Sequence, residues 1–312
     1  MRRIDLLITQ ARRSSNNESF NATAGISDEE FIQYVNDAQD RLQSLIGVRF
    51  PDLFQTEKTI SSVLNQESYT VPDDAFLGSR IDLVEFSRTS QSEDYYFLKK
   101  SLLKERIPGL TGSPEFYIRR SNAFLVYPAP DTSGGSFRVT YQKTLPRLDK
   151  RRGTVSAVTL TTNEISSLTL DTTVEIDDEE LLNEEQVTIV DKYGVVKMRR
   201  IPITAINTTT GAVTVESGFE FESGETIEAG DYMLRGPEST THSQLPNTCE
   251  RYLIEYMNWR VSNRDSSNDA IEQSQILANL EADIVASIQE PDGDVLGVPI
   301  INAEFLDSSE TQ

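Results

Sequence analysis

The stretch Glu185–Ser217, EQVTIVDKYGVVKMRRIPITAINTTTGAVTVES, decides the fold class. Short runs rich in Val, Ile and Thr are cut by KYG and TTTG, which read as turns. Moving outward, the same texture holds from 154 to about 235. TVSAVTL and SLTLDTTVEI lie before the stretch, and ETIEAGDYMLR lies after it. Strand after strand with no helical period predicts a small antiparallel barrel or sandwich. Residues 153–236 hold 16 Asp or Glu and 5 Lys or Arg, about half of the net charge of -21.

The flanks have a different texture. Within MRRIDLLITQARR, Ile4, Leu7, Ile8 and Ala11 make a helical stripe set among Arg2, Arg3, Arg12 and Arg13. Asp5 and Thr9 break the apolar centre and no small-residue cleavage site follows, which argues against a signal peptide. Ser27-Asp-Glu-Glu30 is a capping box. Phe31, Val35, Ala38, Leu42, Leu45 and Ile46 follow at helical spacing, with Gly47 as the expected stop. Residues 57–148 read as short strands: SYTVPDDA (68–75), RIDLVEFSR (80–88), and NAFLVYPAPDTSGGSFRVTYQK (122–143), read as a hairpin. LPRLDKRRG (145–153) reads as a boundary.

Helical spacing returns in His242–Val261, HSQLPNTCERYLIEYMNWRV, which holds the chain's single His, Cys and Trp. Pro246 breaks what precedes, Asn247 caps, and Cys249, Leu253, Tyr256 and Trp259/Arg260 share one face. One His and one Cys are too few for a metal site. A thiol on an apolar stripe behaves as a small hydrophobe, so the stretch reads as a packed helix. Another helix is expected near Asn268–Gln289. The tail PDGDVLGVPIINAEFLDSSETQ (291–312) is extended, since Gly297 and Pro299 forbid a regular helix there.

The expected fold class is therefore α+β: a helical body with a β-hairpin, interrupted by a small antiparallel barrel or sandwich domain. The boundaries are 1–150 for the first part of the body and 151–238 for the inserted β-domain. The second part of the body spans 239–290, and an extended C-terminal arm spans 291–312.

Much chemistry is excluded. One cysteine cannot form a disulfide within the chain. No apolar run approaches the ~18 residues that span a bilayer. No Gly-x-Ser-x-Gly, P-loop or dinucleotide fingerprint occurs, and the turn at Gly109–Gly112 lacks a phosphate-loop Lys. Fifty acids offer too many carboxylate pairs for any one to carry meaning. The run Glu175–Glu185 lacks the order of a calcium loop, and Asp292-Gly-Asp294 reads as a turn. No enzyme activity, metal or cofactor is expected.

The order of these features resembles a head-to-tail adaptor (connector) protein of tailed bacteriophages, of the short-tailed type. The features are an N-terminal helix, ISDEEFIQYVNDAQDRLQSLI, YTVPDDA, PEFYIRRSNAFLVYPAPDTSGGSFRVTYQKTLPRL, and LPNTCERYLIEYMNWRVSNRDSS leading into a final helix. The inserted β-segment departs from a minimal helical adaptor. The resemblance implies a structural virion protein in the neck or tail, assembled in the host cytoplasm. It implies a ring of about twelve copies below the portal protein. The ring continues the DNA channel and docks the tail nozzle or fibres, with no membrane partner. Genomic DNA would pass an acidic lumen without specific binding, because like charge repels phosphates. Gln33, Tyr34, Asp37 and Arg41, beside the helical stripe, are candidates for contacts between copies. Ile300, Ile301 and Phe305 are candidates for anchoring the C-terminal arm on the portal. The alternative is a carbohydrate- or receptor-binding, or fibre-associated, structural tail protein with the β-domain as adhesin.

Overall fold

A computed structural model describes residues 3–15, 25–76, 81–89, 94–102, 109–161, 164–172, 186–216, 226–264 and 269–288. The chain divides into two compact units, Met1–Leu42 with Pro146–Gln312, and Gln43–Leu145.

The first helix, α1 (Ile4–Ser14), buries Ile4, Leu7, Ile8 and Ala11, the stripe the spacing predicts. The second, α2 (Asp28–Arg49), opens on the expected capping box. The Ser27 amide donates to Glu30 Oε2 at 3.1 Å, and the Glu30 amide donates to Ser27 Oγ at 3.2 Å. Phe31, Val35, Ala38, Leu42 and Ile46 are buried. Gly47 does not stop the helix, which runs two residues further. Its backbone is instead approached closely: Gln142 Nε2 donates to its carbonyl at 3.1 Å, and a Cβ would lie 3.2 Å from Gln142 Oε1. The stop comes from Pro51, whose ring disfavours helical geometry at Phe50 (φ -129, ψ 70).

The unit Gln43–Leu145 is built from two four-stranded sheets. Its strands are β1 (Gln55–Ser61), β2 (Ser68–Thr70), β3 (Ile81–Ser87), β4 (Tyr96–Phe97), β5 (Lys99–Lys100), β6 (Thr111–Gly112), β7 (Phe116–Arg120), β8 (Ala123–Tyr127), β9 (Ala129–Pro130) and β10 (Ser136–Gln142). One sheet has the order β1-β10-β3-β4 and the other β2-β8-β7-β5, while β6 and β9 form a short parallel pair. Both sheets feed one core, with Phe137 at its centre. Its ring lies 4.6 Å from Tyr69, 4.8 Å from Phe86 and 5.9 Å from Phe124.

The hairpin expected over 122–143 does not form. Its two strands, β8 and β10, lie in different sheets. The actual hairpin is β7–β8, closed by Ser121 and Asn122, with Ser121 at φ 31. A two-residue turn between FYIRR and AFLVY brings a nearer partner into register than the eight-residue loop that follows.

In the other unit the insertion begins and ends on a two-stranded parallel pair, β11 (Arg147–Leu148) with β18 (Ser239–Thr240). Between them lie β12 (Gly153–Thr161), β13 (Glu164–Leu170), β14 (Gln186–Val190), β15 (Val196–Asn207), β16 (Ala212–Val215) and β17 (Tyr232–Arg235). These six close into an antiparallel barrel in the order β12-β13-β16-β15-β14-β17. Alternating Val, Ile, Leu and Met fill its interior, among them Leu168, Val187, Ile189, Ile201 and Met233. Both the mixed α+β class and the barrel follow the sequence reading.

After the barrel, Pro246 caps a 3-10 turn at Asn247–Cys249, and α3 (Glu250–Arg264) begins one turn later than Asn247 suggests. Cys249, Tyr252, Leu253, Tyr256, Met257 and Val261 are buried. Trp259 is not: it sits half-exposed at the edge of that face, 5.4 Å from the Tyr256 ring. The last helix, α4 (Asp269–Ile288), packs on α3 and buries Leu277, Ile284 and Val285.

Candidate interaction surfaces

The helix α2 organises its surroundings through polar side chains that the sequence reading passed over. Asn36, Gln39 and Gln43 are buried, on one face at spacings of three and four. Asn36 behaves like a neighbouring strand: its Oδ1 accepts from the Leu148 amide at 2.8 Å and its Nδ2 donates to the Leu148 carbonyl at 2.9 Å. Gln39 Nε2 donates to the Pro146 carbonyl at 2.9 Å. Gln43 donates to the Lys143 carbonyl at 2.6 Å and accepts from the Leu145 amide at 3.1 Å. An extended segment thus finds its backbone partners on a helix, which satisfies groups that burial would otherwise leave costly.

At the first turn of α2 an ionic cluster forms around Arg152, whose side chain is fully buried. Its Nη2 donates to Asp149 Oδ1 at 2.6 Å and to Glu29 Oε2 at 2.8 Å. Glu29 is also reached by Lys150 at 2.9 Å and by Arg235 of β17 at 3.2 Å. Asp149 Oδ2 accepts from the Arg235 amide at 2.8 Å, and the Arg152 amide donates to the Met233 carbonyl at 3.0 Å. Burial pushes the Glu29 carboxyl up, but hydrogen bonds and charge from Arg152 and Lys150 outweigh it and hold it below its ordinary value. The cluster ties barrel, boundary segment and helix together. The sequence signal was DKRRG, within the stretch read only as a boundary.

The four residues expected to meet another copy mostly meet their own subunit. Arg260 of α3 lies over the Tyr34 ring at 5.1 Å and reaches Asp37 at 3.3 Å. Arg41 pairs with Glu281 of α4 at 2.7 Å. Glu281 also accepts from the Tyr252 hydroxyl at 2.7 Å. Burial, with Glu281 beside it, pushes Tyr252 far above its ordinary value, so it remains a donor. Gln33 is exposed. Ile300, Ile301 and Phe305, the run 175–185, and Asp292 with Asp294 all lie outside the described residues.

Burial raises the Cys249 thiol above its ordinary value, opposite to an activated nucleophile. His242 has its own partner, with Nδ1 2.9 Å from Thr241 Oγ1. Burial, then the charge of Arg3, lowers its affinity for a proton. Among the described residues no group of three or more His, Cys, Asp or Glu is placed to hold a metal. No helix among them is long and apolar enough to cross a membrane.

A family model described as SU10 adaptor protein matches residues 3–178, from α1 through the two sheets to the first barrel strands. No curated protein matches the chain.

Proposed function

Because the chain belongs to the SU10 adaptor protein family, we propose that it acts as a head-to-tail adaptor of a short-tailed phage. Membership makes it a structural phage adaptor. In the proposal, copies form a ring of about twelve below the portal. The ring continues the DNA channel within the virion neck after assembly in the host cytoplasm. A net charge of -21 suits a lumen that genomic DNA passes without sticking.

The division into body (1–150 and 239–290), β-domain (151–238) and arm (291–312) carries separate roles. The barrel serves as the dock for tail nozzle or fibres. The arm reaches the portal through Ile300, Ile301 and Phe305, adding a strand or filling pockets. Gln33, with Tyr34, Asp37 and Arg41 beside it, forms a secondary contact between copies.

The observation that supports this reading best is the joint at Glu29, Asp149, Arg152 and Arg235. It fastens an accessory barrel to the helix that the family match covers, as a load passed from tail parts to the neck requires. Mixing the purified chain with its portal tests it: negative-stain images should show stoichiometric rings on the portal. Glycan binding without ring formation would sink the reading. A chain truncated after Asp294 should melt as the full chain does and fail to stay on the portal.

A further inference from the structure

The charge is not shared evenly. The 103 residues of Gln43–Leu145 hold twelve Asp or Glu and twelve Lys or Arg, so they are neutral. The other unit holds the remaining 38 acids and 17 bases, and hence the whole net charge of -21. Of twelve large hydrophobics exposed among the described residues, eight lie in the neutral unit. Copies that repel one another through one unit have a neutral, apolar surface on the other.

The sheets give that surface a geometry. Strands β4 and β5 follow each other in one segment and border different sheets, so residues 96–100 make one rim of the double sheet. Strands β1 and β2 border the same two sheets on the opposite side. The Ser62 amide donates to the Gly135 carbonyl at 2.8 Å, and the Lys143 amide donates to the Phe54 carbonyl at 2.8 Å. With the register between them, this turns the N–H and C=O of Glu57, Thr59 and Ser61 away from β10, toward the rim, while the Gln55 N–H is taken by the Asp52 carbonyl. On the other side the Leu98 amide donates to the Val84 carbonyl, which turns the Phe97 backbone outward. Each rim also has apolar residues: Val63 and Leu64 on the first, Phe97 (67% exposed) and Leu102 (60% exposed) on the second. On the first rim Glu57 is exposed on one face of β1 and Lys58 on the other; Lys99 and Lys100 are exposed on the second, opposite in charge to Glu57.

We propose that copies of this chain join head to tail through the neutral unit, the β1 rim of one copy docking on the Tyr96–Leu102 rim of the next. Two different rims on opposite sides make a heterologous contact, the kind that closes rings. Natural edge strands are often guarded by charge alone. Here Glu57 on one rim is complementary to Lys99 and Lys100 on the other, and a large aromatic, Phe97, stands beside the lysines. The inference rests on the ring reading and adds its surface.

Two variants test it. Thr59→Pro removes an outward N–H that the subunit's own ladder does not use. Phe97→Asp charges the second rim. Ile271→Asp, at a residue 71% exposed on α4, is the control. Each is mixed with portal beside the unaltered chain, and rings are counted by negative stain and mass photometry. Both rim variants should melt as the unaltered chain does and lose ring formation about tenfold or more, while Ile271→Asp assembles normally. Should either melt early, Glu57→Lys replaces it: assembly should fall, then return when Lys99→Glu and Lys100→Glu are added. Rings at the unaltered level in the rim variants, or loss only with Ile271→Asp, overturns the proposal and leaves the adaptor reading standing. No rings from the unaltered chain overturns both.

Discussion

At the scale of single residues, burial separates the side chains that the 242–261 stretch drew together. Cys249 is fully buried and small, so Cys249→Ala should fold, assemble and cost about 1 kcal/mol. Tyr252 is equally buried, much larger, and hydrogen-bonded to Glu281. Tyr252→Ala should cost roughly 3–5 kcal/mol. Trp259→Ala, at a half-exposed position, should fall well below that, although spacing places Trp259 on the same face as Cys249 and Tyr256. Chemical denaturation of the three variants orders them, and a Trp259 variant weaker than the Tyr252 variant would refute the assignment. Glu29 gives a pH signature. Its folded pKa lies below its unfolded value, so its stabilisation is present above the ordinary Glu range and is lost as pH falls through the folded value. Glu29→Gln should therefore melt lower than the unaltered chain at neutral pH, and the gap should narrow below about pH 4. A gap independent of pH would show that the carboxylate charge is not what matters.

At the scale of elements, polar atoms on α2 set what periodicity could not. Asn36→Ala would leave both the amide and the carbonyl of Leu148 without their helix partner. A loss of about 1–3 kcal/mol is expected, since buried backbone groups would lack hydrogen bonds. Hydrogen exchange should quicken at Leu148 and stay unchanged at Leu145, which Gln43 holds. Equal protection at Leu148 in both proteins would remove the strand-like role of Asn36. The capping box, the α1 stripe and the barrel strands were legible because each is written in local spacing. The partner of β8 was not. AFLVY has three consecutive buried residues, so its pattern does not say which neighbour it takes. Gly47 was misread for a related reason: a glycine needed for close approach looks, in sequence, like one needed to end a helix. The cluster around Arg152 escaped because Glu29, Asp149 and Arg235 are far apart in the chain, and charge alone reads as solvated surface.

At the scale of the whole molecule, the barrel is an insertion whose ends lie side by side and whose base is clamped. The β11–β18 pair places Arg147 beside Ser239 and Leu148 beside Thr240, so a short Gly-Ser linker can replace residues 153–236. Removal costs more than a loop, however. It takes away Arg235 and the Met233 carbonyl that accepts from the Arg152 amide. Arg152 would keep Asp149 and Glu29, so its charge stays paired. The body should remain soluble, because the helices bury Leu7, Phe31, Leu42 and Leu253 without help from the barrel's separate core. It should melt below the full chain at neutral pH, where Glu29 is ionised, and the difference should shrink as pH falls through the range in which Glu29 titrates. It should still dock on the portal as a ring, because the arm proposed to reach the portal and the rims proposed to join copies are intact, and it should lose nozzle or fibre binding. An insoluble deletion protein would mean that the boundaries at 151 and 238 cut through a shared core. A soluble one that no longer meets the portal would move the portal contact onto the barrel.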